Sequence, residues 1–463
     1  MVVVPLDVGY VARPADSVNT CTLSGMDTLE RQRRDELREM GRLAFSELGD
    51  AATGIAKVHS AFSEHIFTGL RVGLRPVGLD EFVRPAKLLH DAIAGGTYTT
   101  ITAVCDTASE VASQAADGWG RPPSQTVRGG AMIAAINGLI GDELHQARSP
   151  LAEPMGIRLD GVAIPPMRNA LANAFPTATG HLVVFLHGLM ETEAAWSIGG
   201  RPTYGTRLAE DLGATEVQLR YNTGRHISQN GRELDRLLTE ITTAWPVPVR
   251  HITLVGHSMG GLVARSACHR GELEGADWTG LVRHVVCLGT PHLGAPLARS
   301  VHYLTAALGA VPESRPFAHL LRRRSSGVRD LFHGSLVDED WSGRDIDALR
   351  VAAVQEVPLL ADATHYFVSA TVTRSAKHPI GRVIGDGLVL VPSAVGKNKK
   401  RHIGFRDEDG FAISSANHFT LLNNDEVYAW LLPRLRGADP VPTDRAITAG
   451  DPVREPTSDL GRC

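Results

Sequence analysis

A chain of 463 residues, 43% hydrophobic and 21% charged, is long for one small domain and too apolar to be disordered throughout. A formal charge of −4 excludes a generally basic nucleic-acid coat. Five widely spaced cysteines without a CxxC pair argue against a disulfide framework or a zinc knuckle.

Residues 1–22 and 437–463 are rich in Pro, Asp, Thr and Gly without periodicity and read as mobile tails. The start lacks a basic segment and a sustained apolar run, and no stretch nears ~18 apolar residues. A cytoplasmic protein without a spanning helix is therefore expected. Residues 23–150 read as a helical N-terminal region. Within it Glu30 to Glu39 is a mixed-charge, solvated face. Apolar stripes at helical spacing run through Ile55, Val58, Phe62 and Ile66, through Ile101, Val104, Ala108, Val111 and Ala115, and through Ile133, Ile136, Leu139 and Ile140.

The pattern changes at about residue 151, and residues 151–436 read as one α/β domain. Met155 to Ile164 carries an Asp-Gly between short alternating runs and predicts a hairpin. Strands are predicted at Leu182–Leu186, Val217–Tyr221, Ile252–Val255, Val285–Leu288, Tyr366–Ala370 and Phe411–Ser414. Helices are predicted between them at Thr206–Leu212, Glu233–Trp245 and Gly260–Cys268. Such alternation implies a mostly parallel sheet covered by helices on both faces. Residues 298–363 interrupt it and read as a helical insertion, either a lid or a small subdomain.

The segment His251 to Arg265, HITLVGHSMGGLVAR, carries the chemistry. An apolar strand enters Gly256-His-Ser-Met-Gly260 and a helix-forming stretch leaves it, the setting of a Gly-x-Ser-x-Gly nucleophile elbow. The nucleophile is Ser258, whose hydroxyl must project from a strained turn, and glycines on either side remove colliding side chains. Acyl transfer also needs amides aimed at a developing oxyanion. One is that of Met259. The other is that of Leu189, in His187-Gly-Leu-Met190 after the most hydrophobic strand. His187 reads as shaping that loop, because the base follows the serine in this chain order. The base is His418, in FAISSANHFTLL after the last strand, with His365, His378 and His402 as competitors. The acid is Asp386, between Gly385 and Gly387 in a tight turn, with Asp362 and Asp347 in reserve.

With these residues in view, the chain resembles an α/β-hydrolase of the lipase/esterase group, close to bacterial PGAP1-like (GPI inositol-deacylase-like) lipases. The matching pieces are HGLMETEAAW at 187–196, GHSMGG at 256–261, GTPHLGAP at 289–296, GDGLVLVPSA at 385–394 and ANHFTLL at 416–422. The resemblance implies a triad of Ser258, Asp386 and His418, an oxyanion hole at Leu189 and Met259, and a cap formed by 298–363.

The expected activity is that of a carboxylic ester hydrolase working through an acyl-enzyme on Ser258. Its substrate is a small-molecule or lipid ester, with apolar residues of the insertion (Tyr303, Leu304, Phe317, Leu320, Leu321) pointing to an apolar acyl group. Thioesterase, acyltransferase or polyester depolymerase chemistry uses the same triad, and a non-catalytic binding protein is the reading from another class. No phosphate loop, dinucleotide fingerprint or HExxH motif occurs, so no cofactor, metal or nucleic acid is expected. The basic runs Lys397, Lys399, Lys400, Arg401 and Arg322 to Arg324 read as solvated surface, with a phosphate or lipid surface as the alternative contact.

Overall fold

The computed structural model describes residues 17–43, 120–295, 325–344, 354–375, 385–399 and 401–436. The predicted stripes at 55–66 and 101–115, the tail at 437–463, Arg322 to Arg324, Asp347 and His378 lie outside these residues.

A first helix, α1 (Ser17–Leu43), begins inside the segment expected to be a tail. It is followed by α2 (Val127–Gln146), opened by Thr126, whose side chain accepts from the Gly129 amide. The stripe predicted at 133–140 is the buried face of α2: Ile133, Ile136 and Leu144 pack with Met132, Leu151 and, from α1, Met40 and Leu43. The mixed-charge face of α1 is only partly solvated. Arg34–Glu30 and Arg38–Asp35 are exposed pairs, but Glu36 is buried, accepting from the Ser124 amide at 2.9 Å and its hydroxyl at 2.6 Å. A period-based reading cannot see this, because the partner comes from beyond the helix.

The predicted hairpin forms from β1 (Gly156–Leu159) and β2 (Val162–Ile164), joined by Asp160 and Gly161. After α3 (Arg168–Ala174) come β3 (His181–Leu186), α4 (Tyr204–Leu212), β4 (Thr215–Arg220), α5 (Ile227–Ala244), β5 (His251–His257) and α6 (Met259–Glu274). Then follow β6 (Val282–Leu288), α7 (Ser326–His333), β7 (Thr364–Thr371), the one-turn α8 (Val391–Ala394), β8 (Gly410–Ser414) and α9 (Asp425–Arg436). The eight strands make one sheet in the order β2-β1-β4-β3-β5-β6-β7-β8. Strands β4, β3, β5, β6, β7 and β8 are mutually parallel, and β1 is antiparallel to both its neighbours.

Strand β3 is the hub, and its side chains alternate between two cores. Leu182, Val184 and Leu186 pack with Leu234, Leu238 and Ile241 of α5 and Leu262 and Val263 of α6. Val183 and Phe185 face Trp196, Tyr204 of α4 and Tyr428 and Leu431 of α9 on the other side. This two-sided burial makes the strand a continuous apolar run rather than an alternating one. Helix α5 starts at Ile227, six residues before its predicted start at Glu233. Its polar first turn is held from elsewhere: Ser228 donates to Asp338 at 2.6 Å and the Ile227 amide to Asp330 at 2.8 Å.

The described parts of the 298–363 insertion belong to the body of the domain. Leu331, Leu336, Val357 and Leu360 sit in the core shared with α5 and α6. The Ser325 hydroxyl caps α7 and donates to the Gly138 carbonyl of α2 at 2.6 Å. Helix α2 also lies on the loops that follow β3 and β4. Asn222 donates to the Gly141 carbonyl at 2.8 Å, and a Cβ at Gly138 would stand 2.2 Å from Met190 Cγ. A buried charge cluster locks the same region: Arg220 binds both Glu193 oxygens at 2.5 and 2.6 Å and the Ser124 carbonyl at 2.5 Å, while Arg158 pairs with Glu153. Such a cluster specifies position more than it stabilises, since desolvation of its charges offsets much of their attraction.

Candidate active site

The elbow forms as its spacing predicts. Ser258, between β5 and α6, holds φ 52° and ψ −118°, a backbone conformation unfavourable for any residue with a Cβ. The turn is so tight that a Cβ at Gly256 would lie 2.4 Å from the Gly261 nitrogen, and one at Gly260 2.3 Å from the Leu186 carbonyl oxygen. The Ser258 amide donates to the Leu288 carbonyl at 2.8 Å, fixing the elbow against the end of β6.

Asp386 and His418, thirty-two residues apart in the chain, meet as an acid and a base. The imidazole Nδ1 is 2.7 Å from Asp386 Oδ2, and the His418 amide donates to the Asp386 carbonyl at 3.1 Å. The other carboxylate oxygen accepts from the Leu388 and Val389 amides at 2.9 and 2.8 Å. The two flanking glycines take positive φ, 60° at Gly385 and 99° at Gly387, which produces the inward turn. Both side chains are buried. Burial alone would push the His418 pKa down; the Asp386 charge and hydrogen bond, with Glu191 further off, outweigh it and hold the imidazole above its ordinary value.

The Asp386–His418 half of the expected relay is hydrogen-bonded. Among the described residues, Ser258 Oγ makes no hydrogen bond to the ring. The backbone links the two loops: Leu288, which accepts the Ser258 amide, precedes Gly289, where a Cβ would meet the His418 ring at 3.1 Å. Nucleophile–base hydrogen bonds are commonly loose before substrate binds.

The amides of Leu189 and Met259 have no acceptor among the described residues, while their neighbours do: Gly188 donates to Glu191 at 2.6 Å and Met190 to Thr223 at 3.2 Å. Two free donors flanking the elbow suit an oxyanion. His187 is fully buried, stacked on Tyr221 with ring centroids 4.5 Å apart, and its Nδ1 lies 2.9 Å from the Gly188 carbonyl. That is the loop-shaping role read from the sequence. The competing His365 is buried in β7 against the Leu360 carbonyl at 3.2 Å, and Asp362 is exposed.

Two residues were passed over in the sequence. Glu191 follows the oxyanion loop, and His257 immediately precedes the nucleophile. Their side chains are 3.0 Å apart, and His257 Nε2 lies 3.2 Å from the His418 carbonyl. Both stand inside quoted motifs, but nothing in a loop glutamate announces that a distant strand will bury it.

Among the described residues no group of three His, Cys, Asp or Glu side chains is arranged to hold a metal, and no helix is long and apolar enough to cross a membrane. In the basic run, Lys397 stands 3.8 Å from Asp407, both partly exposed, as solvated surface would.

A family model described as the PGAP1-like alpha/beta domain matches residues 214–343, a span that includes Ser258 and ends before Asp386 and His418. No curated protein matches the chain. Among solved structures, a lipase of Bacillus licheniformis in its mature form is 18% identical, over 55% of this chain and 91% of that one, with a TM-score of 0.36. A lipase-esterase related protein of Clostridium acetobutylicum is 13% identical over 56% and 95%, with a TM-score of 0.30. A thioesterase of the prodiginine biosynthetic pathway of Streptomyces coelicolor is 18% identical over 56% and 91%, with a TM-score of 0.31. The described chain has the α/β-hydrolase arrangement of a mostly parallel eight-stranded sheet with a serine elbow after β5, and its residues 214–343 are similar to the PGAP1-like alpha/beta domain.

Proposed function

We propose that the protein is a serine hydrolase of carboxylic esters, lipid-like in their acyl group. The reading is supported by one arrangement: a strained serine at the strand-to-helix elbow, linked through Leu288 and Gly289 to the loop of a buried Asp386–His418 pair, with two amides that have no acceptor among the described residues. In this reading Ser258 Oγ attacks the ester carbonyl and passes its proton to His418 Nε2. Nδ1–H of the same ring donates to Asp386, which fixes the tautomer and stabilises the imidazolium. The carbonyl oxygen gains charge and accepts from the Leu189 and Met259 amides. The alcohol leaves with the proton from Nε2, and water releases the acyl group from Ser258 by the reverse sequence.

The apolar acyl group is read from the sequence of the insertion, where Tyr303, Leu304, Phe317, Leu320 and Leu321 supply apolar side chains outside the described residues. A fluorophosphonate probe should label the protein once per chain, on the peptide bearing Ser258. A p-nitrophenyl ester series should then show kcat/KM rising with acyl length. Absence of labelling would overturn the enzymatic reading, and a preference for acetate would overturn the lipid-like part alone.

A further inference from the structure

The chemistry assigned above leaves Glu191 and His257 unused, although His257 is fully buried and the Glu191 side chain is only 11% exposed. A hydrogen-bond inventory says what state they are in. His257 Nε2 faces a backbone carbonyl, that of His418, at 3.2 Å. A carbonyl only accepts, so Nε2 carries a hydrogen. His257 Nδ1 faces Glu191 Oε2 at 3.0 Å, and that same oxygen accepts the Gly188 amide at 2.6 Å. An oxygen already serving as acceptor calls for a donor at Nδ1 as well. Both ring nitrogens donate only in the imidazolium form.

We propose that Glu191 holds His257 as an imidazolium, and that this pair is a positioning unit joining the three loops of the site. Glu191 grips the oxyanion loop through Gly188, His257 belongs to the elbow, and its second hydrogen holds the carbonyl of the base. The proposal rests on the ester-hydrolase reading and adds to it a second carboxylate–imidazole pair that never touches substrate. The surroundings agree. Burial pushes the Glu191 carboxyl up, but the His257 ring and the Gly188 amide outweigh it and hold the carboxyl below its usual range. The other titratable groups facing the pair are His418, its ring centroid 4.6 Å from that of His257 with Asp386 behind it, and His187 and Tyr221, which face Glu191. Trp196, edge-on at 6.3 Å, closes the apolar side.

The consequence is structural: with either hydrogen missing, one of the two His257 hydrogen bonds goes, and oxyanion loop and base loop are no longer held to the same elbow.

The test is Glu191→Gln in the full chain, which keeps an acceptor for the Gly188 amide and removes the charge. The expected result is a fall in kcat/KM of about 10²-fold, the scale of a misplacement near 1 Å, carried by kcat with KM unchanged. A readout independent of turnover is the nitrogen NMR spectrum of protein labelled in its histidines. At pH 7 it should contain an imidazolium that disappears in His257→Gln and gives way to a neutral imidazole in Glu191→Gln. A neutral imidazole at His257 in the unaltered protein, or a Glu191→Gln variant with unchanged kcat and an unchanged imidazolium signal, overturns the proposal. Failure of the unaltered protein to react with the fluorophosphonate would sink the ester-hydrolase reading instead, and the NMR spectrum would still report on the pair.

Discussion

Replacing Ser258 with alanine should lower kcat for ester hydrolysis by about 10⁶-fold, because the nucleophile and its proton path act as a unit. A residue of catalysis, about 10³-fold over water, is expected to survive on the Leu189 and Met259 amides alone. The protein should stay folded. Ser258 Oγ has no hydrogen bond to lose among the described residues, so the stability change belongs with ordinary substitutions, within about 0.5 kcal/mol. Ser258→Gly separates the two roles of the position. It is equally inactive, yet it relieves a φ of 52° that costs any Cβ-bearing residue about 1–3 kcal/mol. Against it stands about 0.5–1 kcal/mol of extra chain entropy lost on folding. Urea melts of the two variants, read with initial rates on one ester, should find the glycine form at least as stable as the alanine form and both inactive. An active alanine variant would move the chemistry to another residue.

Asp386→Asn should cost about 10⁴-fold in kcat through a specific error. The Leu388 and Val389 amides require an acceptor at Oδ1, at 2.9 and 2.8 Å. An asparagine therefore keeps its oxygen there and turns its NH2 toward His418 Nδ1. The ring must then accept at Nδ1 and carry its hydrogen at Nε2, the tautomer that cannot take the serine proton. The pH profile carries the same information. In the unaltered enzyme Asp386 holds the His418 pKa above its ordinary value of about 6.5. The base works only when neutral, so kcat/KM should rise with pH through that elevated value. Without the carboxylate the acid limb should shift to lower pH, beneath a plateau about four orders of magnitude down. A limb that does not move would detach His418 from Asp386.

Much of this site was legible because its parts are imposed locally. Leu182 to Leu186 must be a strand buried on both faces, and Ser258 between Gly256 and Gly260 must be a tight turn. Chain order then directs attention to one glycine-flanked aspartate and one late histidine. What stayed hidden is set by contact. Glu36 sits in a charge-rich helix and reads as solvated, yet Ser124 draws it inside. The first turn of α5 is polar and reads as loop, yet Asp330 and Asp338 supply its partners. Glu191 gains its meaning only when β5 brings His257 alongside it, sixty-six residues later. In each case the information lies in pairing across the fold, and periodicity along the chain does not carry it.

The seat of α2 on the loops beside the elbow bears on where this protein can be cut. At Gly138 the helix backbone comes so close to Met190 that no side chain fits, and Met190 is the residue next to a proposed oxyanion donor. Asn222 and Ser325 tie the same helix to two further loops. A catalytic fragment trimmed at the β1 boundary would look complete by strand count, yet it would lack the floor beneath its own anion-binding loop. The stretch from Thr126 onward is thus part of the minimal folded unit that carries the site, and engineered truncations or fusions have their natural joint upstream of it.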